Sequence, residues 1–247
     1  MSTGIWAAAS GMVGQTAALD VAATNIANAN TPGFRADRAL FRQSLAQATN
    51  KAMGTQSLRY AVTRTVEPNM IAGQMVETGR GLDVSIRNEN AFFAVQTPQG
   101  ERYTRAGAFE LTAEGKLTMP DGTPVLDTNH KPIVVPTTGQ AITVDPTGQL
   151  LADGEPAGPK LLVVSFNNPA ALEKQGSTLL RAGAGAGKAT AVDADLTGGY
   201  LELSNSNAVD GMTQLISATR EFEMLSRVVE AFSSTEHQAA TQIAGSR

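Results

Sequence analysis

Apolar residues recur every seven positions near both ends of the chain and alternate in short runs through its middle. Near the N-terminus Ile5, Met12, Leu19 and Ile26 form one stripe, with Ala8, Ala22 and Ala29 at the position three later and Gln15 as the exception. Seven-residue spacing draws a line along one side of a helix, the seam of a coiled coil. Toward the C-terminus Ala208, Leu215, Phe222, Val229 and Ile243 share one heptad position, interrupted by Glu236. Ala218, Leu225, Phe232 and Ala239 occupy the position three later, preceded by Gly211. Asn207 supplies a cap and Asp210 a negative charge in the first turn, so the spacing predicts a helix from Ala208 to Ile243. Its length of roughly 50 Å, at ~1.5 Å per residue, is that of a rod, and its stripe needs a partner that the N-terminal stripe supplies.

Between these ends the period shortens to two. Leu82–Ile86 and Phe93–Gln96 alternate, and Tyr103–Leu111, Gly115–Leu117, Ile142–Val144 and Leu161–Phe166 add further strands. Two stretches, Phe109–Leu117 and Ile142–Leu150, each read as strand, polar turn with Gly, and return strand. They are hairpins of one irregular β domain, too dissimilar for a repeat array. The predicted fold is therefore α+β: long terminal helices paired as a coiled coil, with a central irregular all-β domain. Four segments follow: a core helix and turn over 1–34, an extended connecting region over 35–78, a β-rich domain over 79–197, and a second core helix over 198–247.

Composition narrows the function. At 247 residues the chain can bury a sizeable core. The net charge of −4 and the lack of a polybasic stretch argue against a nucleic-acid partner. No run nears the ~18 apolar residues of a membrane span, so no membrane insertion is expected. The first basic residue is Arg35, which does not fit the basic opening of a cleaved signal peptide, and the chain has no cysteine, which suits an oxidising compartment. The N-terminal helix carries one charge, Asp20, and small neutral residues such as Ser10, Thr16 and Thr24 on the side away from its stripe. That surface suits a helix enclosed by other helices better than one facing water.

Candidate chemistry is sparse. His130 and His237 stand apart, with no second His, no Cys and no nucleophile at a meaningful spacing. The run Gly183–Thr190 fails as a phosphate loop: Ala182 stands where the first Gly is needed and Ala189 where Ser or Thr must follow the Lys. A connector is the better reading. Asp193 and Asp195 lack the rest of a calcium loop, and Glu221 and Glu223, two apart on a helix, do not share a face. No catalytic, cofactor or metal site is expected.

Two motifs carry more. Asn25–Phe34 closes the N-terminal helix: Asn and Thr compete for backbone hydrogen bonds, Pro32 forbids continuation, Gly33 permits a sharp reversal, and Phe34 anchors it. Gly199–Val209 precedes the C-terminal helix. Together they resemble the axial proteins of the bacterial flagellum, the rod, hook and hook-associated subunits. Ala27, Asn28, Thr31, Gly33 and Phe34, with Pro32 between Thr31 and Gly33, match the family's first turn. Glu202, Ser204, Asn205 and Asn207 match its second, with Ser206 in place of the usual Val. Gly81–Ile86, Phe92–Val95 and Tyr103–Phe109 resemble the family's β domain, although Asn88 and Asn90-Ala91 replace its usual glycines. Within the family, Thr31–Arg35 and Arg220–Met224 are most like the F-type proximal-rod branch.

The resemblance implies a structural subunit of the rod, not an enzyme, whose terminal helices assemble into a tubular drive shaft with the β domain outside. The stripe residues that carry assembly are then Ile5, Met12, Leu19, Ile26, Leu215, Ala218, Phe222, Leu225, Val229, Phe232 and Ile243. Implied partners are other rod subunits, the distal-rod protein, and the flagellar export apparatus, for which Phe41 and Leu45 resemble the recognised element. The implied location is the basal body, across the periplasmic space, reached without a cleaved signal peptide. The alternatives are a distal-rod or hook-type subunit and, from another class, a secreted monomeric β module that holds a ligand.

Overall fold

A computed structural model describes residues 3–48, 57–135 and 141–244. Helix α1 spans Thr3–Ala27 and α2 spans Ala208–Ala244; the rest is strand and turn. The chain divides into two compact units. One contains Met1–Ile26, Asp37–Val66 and Ala208–Arg247, and the other contains Ala27–Ala36 and Glu67–Asn207.

In the helical unit, strands β1 (Asp37–Ala48) and β2 (Ser57–Pro68) form a two-stranded sheet, so the stretch expected as an extended connection is paired. The two helices touch at three described places. A Cβ on Gly11 would lie 3.1 Å from the Leu225 side chain, the Gln15 amide donates to Glu221 at 2.5 Å, and a Cβ on Gly211 would lie 2.6 Å from Ile26. Residue numbers rise on one helix as they fall on the other, which makes the contact antiparallel. Gln15, the polar exception in the N-terminal stripe, is thus one of the residues that meets α2.

The second unit is built from short strands: β3 (Met75–Glu77), β4 (Val84–Ile86), β5 (Ala91–Thr97), β6 (Gly100–Thr104), β7 (Glu110–Leu111), β8 (Leu117–Thr118), β9 (Ile142–Val144), β10 (Gln149–Ala152), β11 (Glu155–Lys160), β12 (Val163–Ser165), β13 (Leu172–Gln175), β14 (Leu179–Ala182), β15 (Thr190–Ala191), β16 (Leu196–Gly198) and β17 (Tyr200–Glu202). The largest sheet has six strands in the order β13-β14-β6-β5-β12-β15. Both hairpins read from the sequence form, as β7–β8 and β9–β10.

Strand β5 is buried on both faces. Ala91, Phe93 and Val95 enter one apolar cluster with Val84, Phe109 and Leu117, while Phe92 and Ala94 enter another with Tyr103, Leu162 and Phe166. A strand covered on both sides reads as a continuous apolar run, as this one does. Aromatic pairs lock each side: Phe93 meets Phe109 edge-on at 5.1 Å, and Tyr103 meets Phe166 at 4.8 Å.

Tyr103–Leu111, expected as one strand, breaks after Thr104. Gly107 presses against Val84, where a Cβ would stand 1.7 Å from the carbonyl oxygen, and Val84 N–H donates to Gly107 O at 2.9 Å. The break turns Arg105 inward.

Candidate functional site: a buried knot of three chain segments

The segment that ends α1 is tied to the segment that precedes α2. After Ala27 the chain turns: Thr31 N–H donates to Asn28 O and Phe34 N–H to Thr31 O. Gly33 takes φ +70°, and a Cβ there would lie 2.2 Å from Ala106 N, so both conformation and space require glycine. Its own N–H donates to Glu202 O at 2.7 Å. Phe34 is fully buried.

Glu202, on β17, sits at the centre. Its Oε1 accepts from Arg35 Nη1 at 2.5 Å and from Gly73 N–H at 2.8 Å. Its Oε2 accepts from Arg105 Nε at 2.8 Å and Nη2 at 2.6 Å. The Arg105 guanidinium spends its remaining donors on the carbonyls of Asn88, Ala91 and Ile86. All three side chains are buried, at 2% exposure or less. Residues 35, 105 and 202 belong to three separate motifs, and one carboxylate joins them.

Two guanidinium groups around one carboxylate leave a buried excess of positive charge. Arg35 bears most of the imbalance, since its Nε and Nη2 are buried without a hydrogen-bond partner. Burial pushes the Arg105 guanidinium below its ordinary value, and the charge of Arg35 adds to this while Glu202 opposes it. Burial raises the Glu202 carboxyl, but the Arg105 and Arg35 charges, the Arg35 hydrogen bond and the Gly73 N–H outweigh it, and the net direction is down.

Asn205 completes the tie. Its side-chain oxygen accepts from Ala36 N–H at 2.6 Å, and its amide donates to Asn69 O and Ile71 O, both at 2.8 Å. Of the turn residues named from the sequence, Asn28, Thr31, Gly33, Phe34 and Asn205 meet here, and Ser204 accepts from Ser206 N–H at 3.0 Å. Asn207 immediately precedes α2. Pro32 is partly exposed beside the turn. Arg35, Arg105 and Glu202 stood inside the quoted motifs, yet no periodicity marked them as mutual partners.

The stripe residues lie elsewhere, in the helical unit. On α2, Leu215, Phe222, Leu225 and Val229 are partly buried and Ala218 is fully buried, whereas Phe232 is exposed. On α1, Met12, Leu19 and Ile26 are partly buried. The side chains of Ile5, Phe41, Leu45 and Ile243 lie outside the described residues.

No group of three His, Cys, Asp or Glu is placed to hold a metal ion among the described residues. No described helix is long and apolar enough to cross a membrane. His130 is exposed and contacts Glu101 at 2.8 Å.

Three family descriptions match successive parts of the chain: "Flagella basal body rod protein" at residues 5–35, "Flagellar hook protein FlgE/F/G D1 domain" at 88–152, and "Flagellar basal body rod FlgEFG protein C-terminal" at 197–242. The chain is 32% identical to the flagellar basal-body rod protein FlgG of Bacillus subtilis (strain 168), over 93% of this chain and 94% of that protein. It is 30% identical to FlgF of Rhizobium meliloti (strain 1021) over the whole of both chains. It is 35% identical to FlgF of Escherichia coli (strain K12) over 85% of this chain and 86% of that one. These likenesses are to structural proteins of the flagellar rod and hook, not to enzymes, and they define the chain as a structural protein. The chain belongs to the flagellar basal-body rod protein family: it is a structural subunit of the rod, located in the flagellar basal body, and other rod components are its partners.

Proposed function

We propose that this subunit enters the rod through its two helices, paired as an antiparallel coiled coil whose outer faces pack on neighbouring subunits. One observation carries the reading. On helix α2, Ala218, Phe222, Leu225 and Val229 are sheltered on one face, while Val209, Met212, Ile216, Met224 and Val228 are 42–70% exposed on the far side, interspersed with Arg220, Glu223 and Arg227. An amphipathic helix of a finished monomer carries charge on its outer side. Five exposed large apolar side chains among those charges support burial against further copies or relatives, and heterologous contacts of that kind generate helical tubes when the rotation does not close. The stripe residues Ile5, Met12, Leu19, Ile26, Leu215, Ala218, Phe222, Leu225, Val229, Phe232 and Ile243 then carry pairing and assembly.

The finer placement is the F-type, proximal part of the rod, spanning the periplasm, adjoining the distal-rod protein. The Thr31–Arg35 and Arg220–Met224 forms support it. Delivery by the flagellar export apparatus without a cleaved signal peptide belongs to the same reading, with Phe41 and Leu45 as the candidate recognition pair.

Because the chain lacks cysteine, a Gln15→Cys, Glu221→Cys pair reports on the seam without background. Under oxidation the pair should close within one subunit, whereas Val13→Cys with Glu221→Cys should not. In cells, Phe222→Asp should stop rod assembly, and so should Ile216→Asp on the opposite face. Normal swimming by the Ile216→Asp strain would remove the second-face reading and leave the pairing untouched.

A further inference from the structure

Among the described residues strand β3 pairs with β17 alone, in the register Met75↔Glu202, Val76↔Leu201 and Glu77↔Tyr200. Thr78 N–H donates to Gly199 O and Leu203 N–H to Gln74 O, both at 2.8 Å, so Gln74, Val76 and Thr78 turn their backbone groups to β17. In an antiparallel ladder the residues between them turn theirs away, and these are Met75 and Glu77. Residues 74–80 are exposed without a break. The strand is nonetheless held firmly on its inner side, since Asn205 donates to Asn69 O and Ile71 O, and Glu202 accepts from Gly73 N–H. Other edges of the unit carry guards against pairing: β11 has Pro156 and Pro159 between Glu155 and Lys160, and β13 has Glu173 and Lys174. On β3 the charge of Glu77 is turned back to its own sheet, where it accepts from Tyr200 OH at 3.1 Å. Met75 and Val76 are left 37% and 38% exposed.

We infer that this edge pairs with the same edge of a second copy of the free subunit, antiparallel about Val76. The edge is self-complementary in that register. Met75 of each copy stands opposite Glu77 of the other, and each such pair exchanges both of its outward backbone bonds. The two Val76 side chains meet at the axis, where exposed apolar surface is covered on both copies. Neighbouring registers are worse. Centring on Glu77 sets two carboxylates directly opposite, which is destabilising. Centring on Met75 brings in Gly73, whose N–H is already given to Glu202. The product is a four-stranded sheet in the order β17-β3-β3-β17, with the open edge of both copies closed. A two-fold contact ends at two copies and does not propagate, so it belongs to the subunit before it enters the rod. The contact is small, and the dimer it makes is weak.

Sedimentation of the isolated full-length subunit over a concentration series tests the pairing apart from rod assembly. The parent should dimerise, and Glu77→Pro, which removes an outward N–H from each copy and no bond to β17, should weaken dimerisation about 10-fold or more. Ile216→Asp, on α2, should leave it unchanged, which separates this contact from association through the helices. Cysteine variants of a chain that has none then read the register. Val76→Cys should oxidise to a linked dimer, since opposed residues at the axis lie ~4.5 Å apart at Cα, inside the span a disulfide bridges. Met75→Cys alone should not, whereas a mixture of the Met75→Cys and Glu77→Cys subunits should. If Glu77→Pro does not fold, the cysteine series decides alone. A parent that stays monomeric up to about 1 mM, dimerisation that Ile216→Asp abolishes, or Met75→Cys linking as readily as Val76→Cys would overturn the proposal.

Discussion

Replacing Glu202 by Gln keeps the shape of the knot and removes the one carboxylate that bonds both of its arginines. Each oxygen of Glu202 already has its donors: Oε1 serves Arg35 and Gly73, and Oε2 serves Arg105 twice. An amide converts one of these acceptors into a donor, so either Arg105 or the Arg35–Gly73 pair faces a like group. Whichever way the amide turns, two buried guanidinium groups remain with no negative charge between them. Breaking a buried ion pair by removing one partner costs about 3–5 kcal/mol, because a desolvated charge is stranded. Against a domain stability of roughly 5–15 kcal/mol, this is a large fraction. For a unit of this size it corresponds to a fall in Tm of roughly 6–20 °C. The assay must follow the β unit and not the helices. The single tryptophan, Trp6, lies in α1, so its fluorescence reports on the wrong part. Tyr103 and Tyr200 both lie in the β unit, and near-ultraviolet circular dichroism of tyrosine in a urea titration is the suitable probe. A loss below ~1 kcal/mol for Glu202→Gln would refute the reasoning, and would mean that the buried charges are hydrated or screened.

Other outcomes follow from the same geometry. Arg35→Met leaves a neutral Arg105–Glu202 pair and removes two unpartnered donors, so it should cost at least ~1–2 kcal/mol less than Glu202→Gln in the same titration. Gly33→Ala meets Ala106 N and should prevent the β unit from closing, whereas Gly79→Ala, at a similar φ of +72° with nothing within 4 Å, should cost only ~1–2 kcal/mol; comparable losses would mean that the close approach does not matter. The folded-state value of Glu202 is depressed, so the stability it contributes is complete above its ordinary value of 4.5 and is lost as pH falls through the lower folded value. Urea midpoints measured downward from pH 6 should therefore fall more steeply below pH 4.5 in the parent than in Glu202→Gln.

Much of the architecture was legible in the chain. Helix α2 begins at Ala208, next to the capping Asn207 and Asp210, and its sheltered face is the heptad stripe down to Val229. The two hairpins were visible because Gly115 and Gly148, at φ +77° and +82°, mark turns that other residues enter reluctantly. Other elements were hidden for physical reasons. The pairing of β1 with β2 falls in a stretch whose mixed polar and apolar residues give no clean period of two. β13 and β14 carry Glu173, Lys174 and Arg181, and charged residues read as a solvated loop until a sheet is there to hold them. Helix α1 stops at Ala27, inside the closing motif read over Asn25–Phe34, and Thr31 N–H then returns to Asn28 O. The knot itself was the least readable feature. Ionisable residues are seldom fully buried, so sequence gives no reason to pair an arginine at 35 with a glutamate at 202.

That separation has a consequence in time. Arg35 and Glu202 are 167 residues apart, so a ribosome adding roughly 5–20 residues per second delivers the carboxylate roughly 8–33 s after the first guanidinium. Throughout that interval the turn at Gly33 has no Glu202 carbonyl to accept its N–H, and Arg105 has no counter-ion. The strands between them can begin to pair, but the unit cannot take its final form, because the last strand brings the charge that makes the buried arginines tolerable. Loop closure over so long a span is also slow in itself. A nascent chain of this protein is thus held in an unfinished state until β17 is made, with the turn at Gly33 and the two arginines waiting for the strand that completes them.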